Sequence, residues 1–99
     1  MKKLWLDDNR PRPDETWDVA RGYHQFISYI INRGVPDLIS FDNDLGGVAE
    51  GYDCAKWLVA NGYIIKDFQV HSANPVAKEN ITILLNNWKK FKGYNQDEK

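Results

Sequence analysis

The 99-residue sequence predicts an α/β fold, a three-layer sandwich built on a mainly parallel sheet of about four strands. Short apolar runs alternate with segments of helical periodicity, the pattern of strand–helix–strand units. Three of those runs end in polar residues. Leu4-Trp5-Leu6 runs into Asp7-Asp8, Leu38-Ile39-Ser40-Phe41 into Asp42-Asn43-Asp44, and Phe68-Gln69-Val70 into His71-Ser72. If the runs are parallel strands, these ends share one sheet edge, the side on which open α/β sheets bind ligands.

Lys2–Leu6 is short and apolar and reads as the first strand. Asn9 to Glu15 carries Pro11 and Pro13 around Arg12. Proline lacks a backbone donor and restricts its predecessor, so this stretch is a loop. Trp17–Ala20 fits a second strand or the start of the next helix, and Gly22 favours the strand by interrupting the pattern. The preceding loop is too short and proline-rich for an ordinary crossover helix, which leaves the orientation of that strand open. From Tyr23 to Arg33, Tyr23, Phe26, Ile27, Ile30 and Ile31 recur at helical spacing, and Gly34 is placed to end the helix. Asp37–Phe41 is largely apolar and suits a strand buried on both faces.

Gly46-Gly47 opens a loop before a helix from about Tyr52 to Ala60, with Tyr52, Ala55, Leu58 and Val59 on one side and Asn61-Gly62 ending it. Asp67–Ser72 is the next strand. The last helix runs from about Pro75 to Lys92, with Ile81, Leu84, Leu85, Trp88 and Phe91 as its buried stripe. Asn74-Pro75 starts it, as N-cap followed by proline at the first helical position. Residues 1–92 make one domain, and 93–99, apolar only at Tyr94, read as a flexible tail.

Ninety-nine residues suit one domain with one core. Hydrophobic residues at 42% and four tryptophans indicate a globule rather than a disordered segment. A formal net charge of −1 lacks the basic face that duplex DNA requires, but permits a nucleotide or a single phosphate held through a metal. Cys54 is the only cysteine, which excludes an internal disulfide and argues against a cysteine-based zinc site. Met1–Leu6 lacks the length of a signal peptide, and no run approaches a membrane span. The expectation is a cytoplasmic protein of a reducing compartment, with bacterial and phage-infected host cytosol equally compatible and the oligomeric state open.

Asp7-Asp8 directly follows an apolar strand. Two like charges so close raise each other's pKa unless a cation lies between them. Mg²⁺ takes one or two carboxylates, with water and substrate phosphate completing its octahedron. The alternative is an exposed turn capped by aspartate. Asp42 and Asp44 stand two apart, so an extended chain points them the same way. The Asp-x-Asp-x-Gly-Gly segment also suits a turn in which the aspartates bind backbone donors.

His71-Ser72-Ala73-Asn74-Pro75 joins a strand to a helix start, where free N–H groups and the dipole make a natural phosphate seat. His71 brings an imidazole and is a candidate general acid or base, sharing its edge with the carboxylates. Asn74 is foremost the helix cap, a role compatible with ligand contact. His24 is read as structural, Arg10 and Arg12 as solvated though within reach of a phosphate, and the tryptophans as core. Lys89, Lys90 and Lys92 suit a helix C-terminus.

The acidic pair, Asp42 at the end of Asp37-Leu38-Ile39-Ser40-Phe41, and Ser72-Ala73 together resemble response-regulator receiver domains, which have a flavodoxin-like fold. The resemblance implies that Asp7 and Asp8 are the metal pair, Asp42 the phosphoacceptor and Ser72 the phosphate-contacting hydroxyl. Receivers also have a fifth strand ending in a lysine that contacts the phosphoryl group. No such strand is expected here after the helix that follows Ser72, so the fold is that of a truncated receiver. Nor do ordinary receivers carry a histidine before the hydroxyl, or an Asp-x-Asp after the central strand.

Those departures match a narrower group. Leu4–Asp8, Ile39–Gly46 and His71–Pro75 look like the cyclic-phosphate-processing receiver-like family, in a resemblance running from Leu4 to about Trp88. It implies hydrolysis of a cyclic phosphate, in RNA-end repair or nucleotide signalling. The family often has histidine where this chain has Asn43, so a catalytic role for that histidine leaves His71 to act alone.

The expected function is a Mg²⁺- or Mn²⁺-dependent phosphoesterase acting on the cyclic phosphate of an RNA end or a nucleotide. Asp7, Asp8 and Asp42 hold the ion, and Asp44 completes the site or orients water. His71 passes a proton to the departing oxygen, while Ser72 and Asn74 hold the phosphate. The alternative is a receiver-like module that accepts a phosphoryl group on Asp42, or binds a partner, without hydrolysis.

Overall fold

A computed structural model describes the backbone of residues 1–97 and the side chains of residues 1–92. Its elements are β1 (Lys3–Leu6), β2 (Trp17–Ala20), α1 (Tyr23–Arg33), β3 (Leu38–Phe41), α2 (Gly51–Ala60), β4 (Phe68–Val70) and α3 (Pro75–Asp97). The tail expected at 93–99 falls where side chains, and at 98–99 the backbone, lie outside the described residues.

The four strands form one sheet in the order β2-β1-β3-β4, and all three pairings are parallel. This settles the orientation of β2. Residues 7–16 carry the chain back from the end of β1 to the start of β2 without a helix. Ten residues reach up to about 33 Å when extended, against about 13 Å for a four-residue strand, so a prolyl loop suffices where a longer strand would need a helix.

Parallel crossovers are right-handed. The β2–α1–β3 and β3–α2–β4 units step the same way across the sheet and so lay their helices on one face, where α1 packs on α2 and α2 on α3. The β1–β2 crossover steps the other way and falls on the opposite face. Of the three expected layers, the third is therefore a loop. Arg12 pins it by donating from Nη1 to the Trp17 carbonyl at 3.1 Å.

Side-chain alternation divides the sheet accordingly. Leu4, Leu6, Ile39 and Phe41 are fully buried in the core shared with Phe26, Leu58, Ile81 and Leu85 of the helices. On the loop side, Trp5 and Trp17 meet edge to face with ring centres 5.7 Å apart, and the Lys3 ammonium lies over the Trp17 ring. Most of the expected helical stripes face the core. Ile31 of α1 and Phe91 of α3 do not, being 63% and 54% exposed, with Phe91 stacked on Trp88. Cys54 is fully buried in α2, and burial pushes its thiol up to about 12, so it acts as a small apolar residue. No helix among the described residues is long and apolar enough to cross a membrane.

One glycine sets the position of α2. A Cβ at Gly51 would lie 1.9 Å from the Asp42 carbonyl oxygen, so only glycine lets the first turn of α2 pass this close to the end of β3. Its N–H donates to the Asn43 carbonyl at 2.8 Å.

Candidate functional site

Three residues continue the sheet one step beyond its strands. The Asp7 N–H donates to the Ala20 carbonyl of β2 at 3.1 Å, the Asp42 N–H to Leu6 of β1 at 2.9 Å, and the His71 N–H to Phe41 of β3 at 2.9 Å. Leu6 pairs with Phe41 and Phe41 with Val70, so Asp7, Asp42 and His71 occupy the next rung on three adjacent strands. Neighbouring strands lie about 4.8 Å apart, which brings such a rung together without further design. One ligating atom from each of the three lies within 4.8 Å of the others, a group that could hold a metal ion.

Each member is fixed by its surroundings. Asp7 Oδ1 accepts the backbone N–H groups of Asn9 and Arg10 at 2.9 and 2.8 Å, which curls the chain immediately after β1. Asp7 Oδ2 lies 2.9 Å from His71 Nε2. The other imidazole nitrogen lies 2.7 Å from the Ser40 hydroxyl, which also accepts a bond from the Gln69 amide at 3.2 Å. An ionised Asp7 can only accept, so in the neutral ring Nε2 carries the proton and Nδ1 accepts from Ser40. The Trp5 indole stacks on the imidazole at 3.8 Å and 3°. His71 is thus held at both nitrogens and across one ring face.

Asp7 and Asp42 of the rung border an open cleft of about 680 Å³ whose lining does not include His71, and the other expected residues form its rim. Asp8 is exposed there, outside the three-residue group. Asp44 is also exposed, and its Oδ1 accepts the Gly46 N–H at 3.0 Å in a turn that needs φ +73 at Gly46. Ser72 Oγ accepts the Asn74 N–H at 3.1 Å. Asn74 Oδ1 caps α3 by accepting from Val76 and Ala77 at 3.1 and 3.2 Å, so the helix starts at the cleft.

The family model described as the cyclic-phosphate processing receiver domain matches residues 2–87. The chain belongs to that family. No curated protein matches it. Among solved structures, a chain described as the yeast Spc42 trimeric coiled coil, amino acids 181–211, fused to another structure aligns with a TM-score of 0.59. The alignment covers 99% of this chain and 85% of the other at 14% identity, a likeness of fold alone.

In this receiver domain the two buried carboxylates are not equivalent. Burial pushes Asp7 up, but the Asn9 and Arg10 N–H groups and His71 outweigh it and hold the carboxyl below its usual value. Asp42 is raised, by burial first and then by the negative charge of Asp7, against the single Asn43 N–H that its Oδ1 accepts at 2.8 Å. Paired carboxylates with pKa values pushed apart mark sites of acid–base or metal chemistry.

Several residues of the site escaped the sequence reading. Ser40 had a visible signal, the one polar residue in an apolar strand run. Trp5 had none, since a tryptophan in a first strand reads as core. Arg10, read as solvated, lines the cleft. Asn43, between the two aspartates of the central motif, points elsewhere. It is buried, donates to the Glu50 carboxylate and accepts the Tyr52 N–H at 3.2 Å, bracing the start of α2.

Proposed function

We propose that this receiver domain is a metal-dependent phosphoesterase that opens a cyclic phosphate on a nucleotide or an RNA end. The observation that carries the reading is the rung of Asp7, Asp42 and His71, with ligating atoms within 4.8 Å beside an open cleft. The donor set fits a hard divalent cation such as Mg²⁺ or Mn²⁺, offering the carboxylates of two buried residues, Asp7 and Asp42, and room for water and phosphate. Such an ion polarises phosphoryl oxygens and lowers the pKa of bound water.

Asp7 and Asp42 hold the ion, with Asp8 and Asp44 adding charge at the rim. Ser72 holds the phosphate oxygens at the positive end of the α3 dipole, with Asn74 capping the helix through the Val76 and Ala77 N–H groups and lying within contact range of the substrate. In hydrolysis a water oxygen bonds to phosphorus and one ring P–O bond breaks. His71 delivers a proton to the departing oxygen and is positioned for it by Asp7, Ser40 and Trp5. The product is a phosphomonoester. The near-neutral charge of the chain favours a single-stranded end or free nucleotide over duplex DNA.

A second reading has its own support. A ring nitrogen of His71 belongs to the same 4.8 Å group and can serve as a third ligand instead of a proton donor. Turnover of a panel of 2′,3′-cyclic nucleotides with Mg²⁺ and with chelator tests the activity. Wild type that turns over none of them, yet takes phosphate from acetyl phosphate onto Asp42, would refute the phosphoesterase and leave the phospho-accepting receiver.

A further inference from the structure

We propose that Arg10 is the substrate-phosphate clamp of this cleft, an inference that rests on the phosphoesterase reading for the identity of the substrate. Asp7, Asp8, Asp42 and Asp44 all line the cleft, and among its described lining residues Arg10 has the one cationic side chain. A divalent ion balances two of those four charges. A cyclic phosphodiester adds a further negative charge, so the cleft needs a cation aimed at the substrate.

Arg10 is built to be that cation. Its N–H donates to Asp7 Oδ1 at 2.8 Å, and its carbonyl accepts from Arg21 Nη1 at 2.7 Å and Trp5 Nε1 at 3.2 Å. A solvated surface arginine does not need a backbone held at three points. The side chain, by contrast, is lightly engaged. Nη1 donates to the His71 carbonyl at 3.1 Å, Nε stands 3.9 Å from Asp7 Oδ2, and the side chain is 50% exposed. A guanidinium has five N–H donors, and among the described residues one of them is used. The remaining fork matches the bidentate geometry of phosphate oxygens, and the fixed backbone lowers the entropy lost on capture. The bond to the His71 carbonyl ties the guanidinium to the strand end that carries the proposed proton donor.

The test measures Mn²⁺ affinity, and then inorganic phosphate affinity of the Mn²⁺-loaded protein, by calorimetry for wild type, Arg10→Gln and Arg10→Lys. Arg10→Gln is expected to weaken phosphate binding by about 10- to 100-fold, the range for losing one charge-assisted contact. Mn²⁺ affinity should hold or rise, since a positive charge near Asp7 is removed. Arg10→Lys should restore part of the loss, because an ammonium keeps the charge but not the fork. Phosphate affinity unchanged in folded Arg10→Gln overturns the proposal, and so does a parallel loss of Mn²⁺ and phosphate, which marks a mere prop of the loop. Metal-loaded wild type that binds no phosphate overturns it too. If Arg10→Gln does not fold, Arg10→Lys decides, and wild-type phosphate affinity there refutes the clamp. The two readings fail separately. Turnover of 2′,3′-cyclic AMP that survives Arg10→Gln sinks the clamp alone, whereas Arg10-dependent phosphate binding without turnover sinks the phosphoesterase alone.

Discussion

Replacing Asp42 with asparagine should stabilise the metal-free protein and abolish its response to metal. Ligating atoms of Asp7 and Asp42 lie within 4.8 Å of each other, and both residues are buried. Two full charges at that distance repel by about 3 kcal/mol at an effective dielectric of 20. Arg10 and His71 offset part of this, so a net gain of roughly 1–2 kcal/mol is expected, or about 5–10 °C in Tm for a domain of this size. Asparagine keeps an oxygen for the Asn43 N–H, so no buried donor is orphaned. The pH dependence has a definite sign. The folded Asp42 pKa is raised, so its ionisation costs stability as pH climbs from the ordinary carboxylate value through the folded one. The advantage of Asp42→Asn should therefore be largest near neutrality and shrink toward pH 4. With metal at 100 times its Kd, wild type should gain about 3 kcal/mol and the variant little. Thermal melts in chelator and in millimolar Mg²⁺ or Mn²⁺ give all these quantities. A variant that melts at or below wild type in chelator would refute the like-charge account.

Other consequences are open to direct measurement. His71→Ala should lower cyclic-phosphate turnover by roughly 10²–10⁴-fold with metal affinity unchanged if the imidazole transfers a proton, whereas a matching loss of metal affinity identifies a ligand. Gly51→Ala forces a methyl group to 1.9 Å from the Asp42 carbonyl, so a loss of about 3 kcal/mol or more in urea unfolding is expected, with weakened metal binding. Tyr29 is pushed up to about 12 by burial and by its 2.7 Å bond to Asp18. Its contribution is complete below pH 10 and lost as pH rises toward 12, so Tyr29→Phe should flatten the alkaline end of the stability curve, and an unchanged curve counts against the buried bond.

The fold was legible because each strand of the sheet is punctuated. The run Leu38–Phe41 ends at Asp42, and Phe68–Val70 at His71, so strand ends could be read from where apolar residues give way. A parallel sheet then forces those ends to one edge. The orientation of β2 was not legible, because the rule that crossovers need a helix depends on strand length, and four-residue strands relax it. The grouping at the sheet edge was legible for Asp7, Asp42 and His71, since all three end strand runs. Asp8 follows Asp7 in sequence, but the rung takes one residue per strand, which leaves Asp8 on the rim of the cleft. Trp5 was invisible as a site residue, and Arg10 could be read only as a solvated residue within reach of a phosphate, because their places come from contacts across the sheet, Trp5 with His71 and Arg10 with the His71 carbonyl.

The helix-free crossover and the site are two aspects of one arrangement. In a helix the Arg10 carbonyl would be consumed by the N–H four residues on. In this loop it is free, and the N–H groups of Asn9 and Arg10 turn onto the Asp7 carboxylate, holding its pKa down despite burial. The freed Arg10 carbonyl is taken by Arg21 and by the Trp5 indole that stacks on His71. The turn that opens the loop thus supplies the donors that keep one carboxylate ionised, while Asp42 on the neighbouring strand keeps only the Asn43 N–H and remains raised. The inequality of the two aspartates therefore originates in the β1–β2 loop, outside the strands that bring them together.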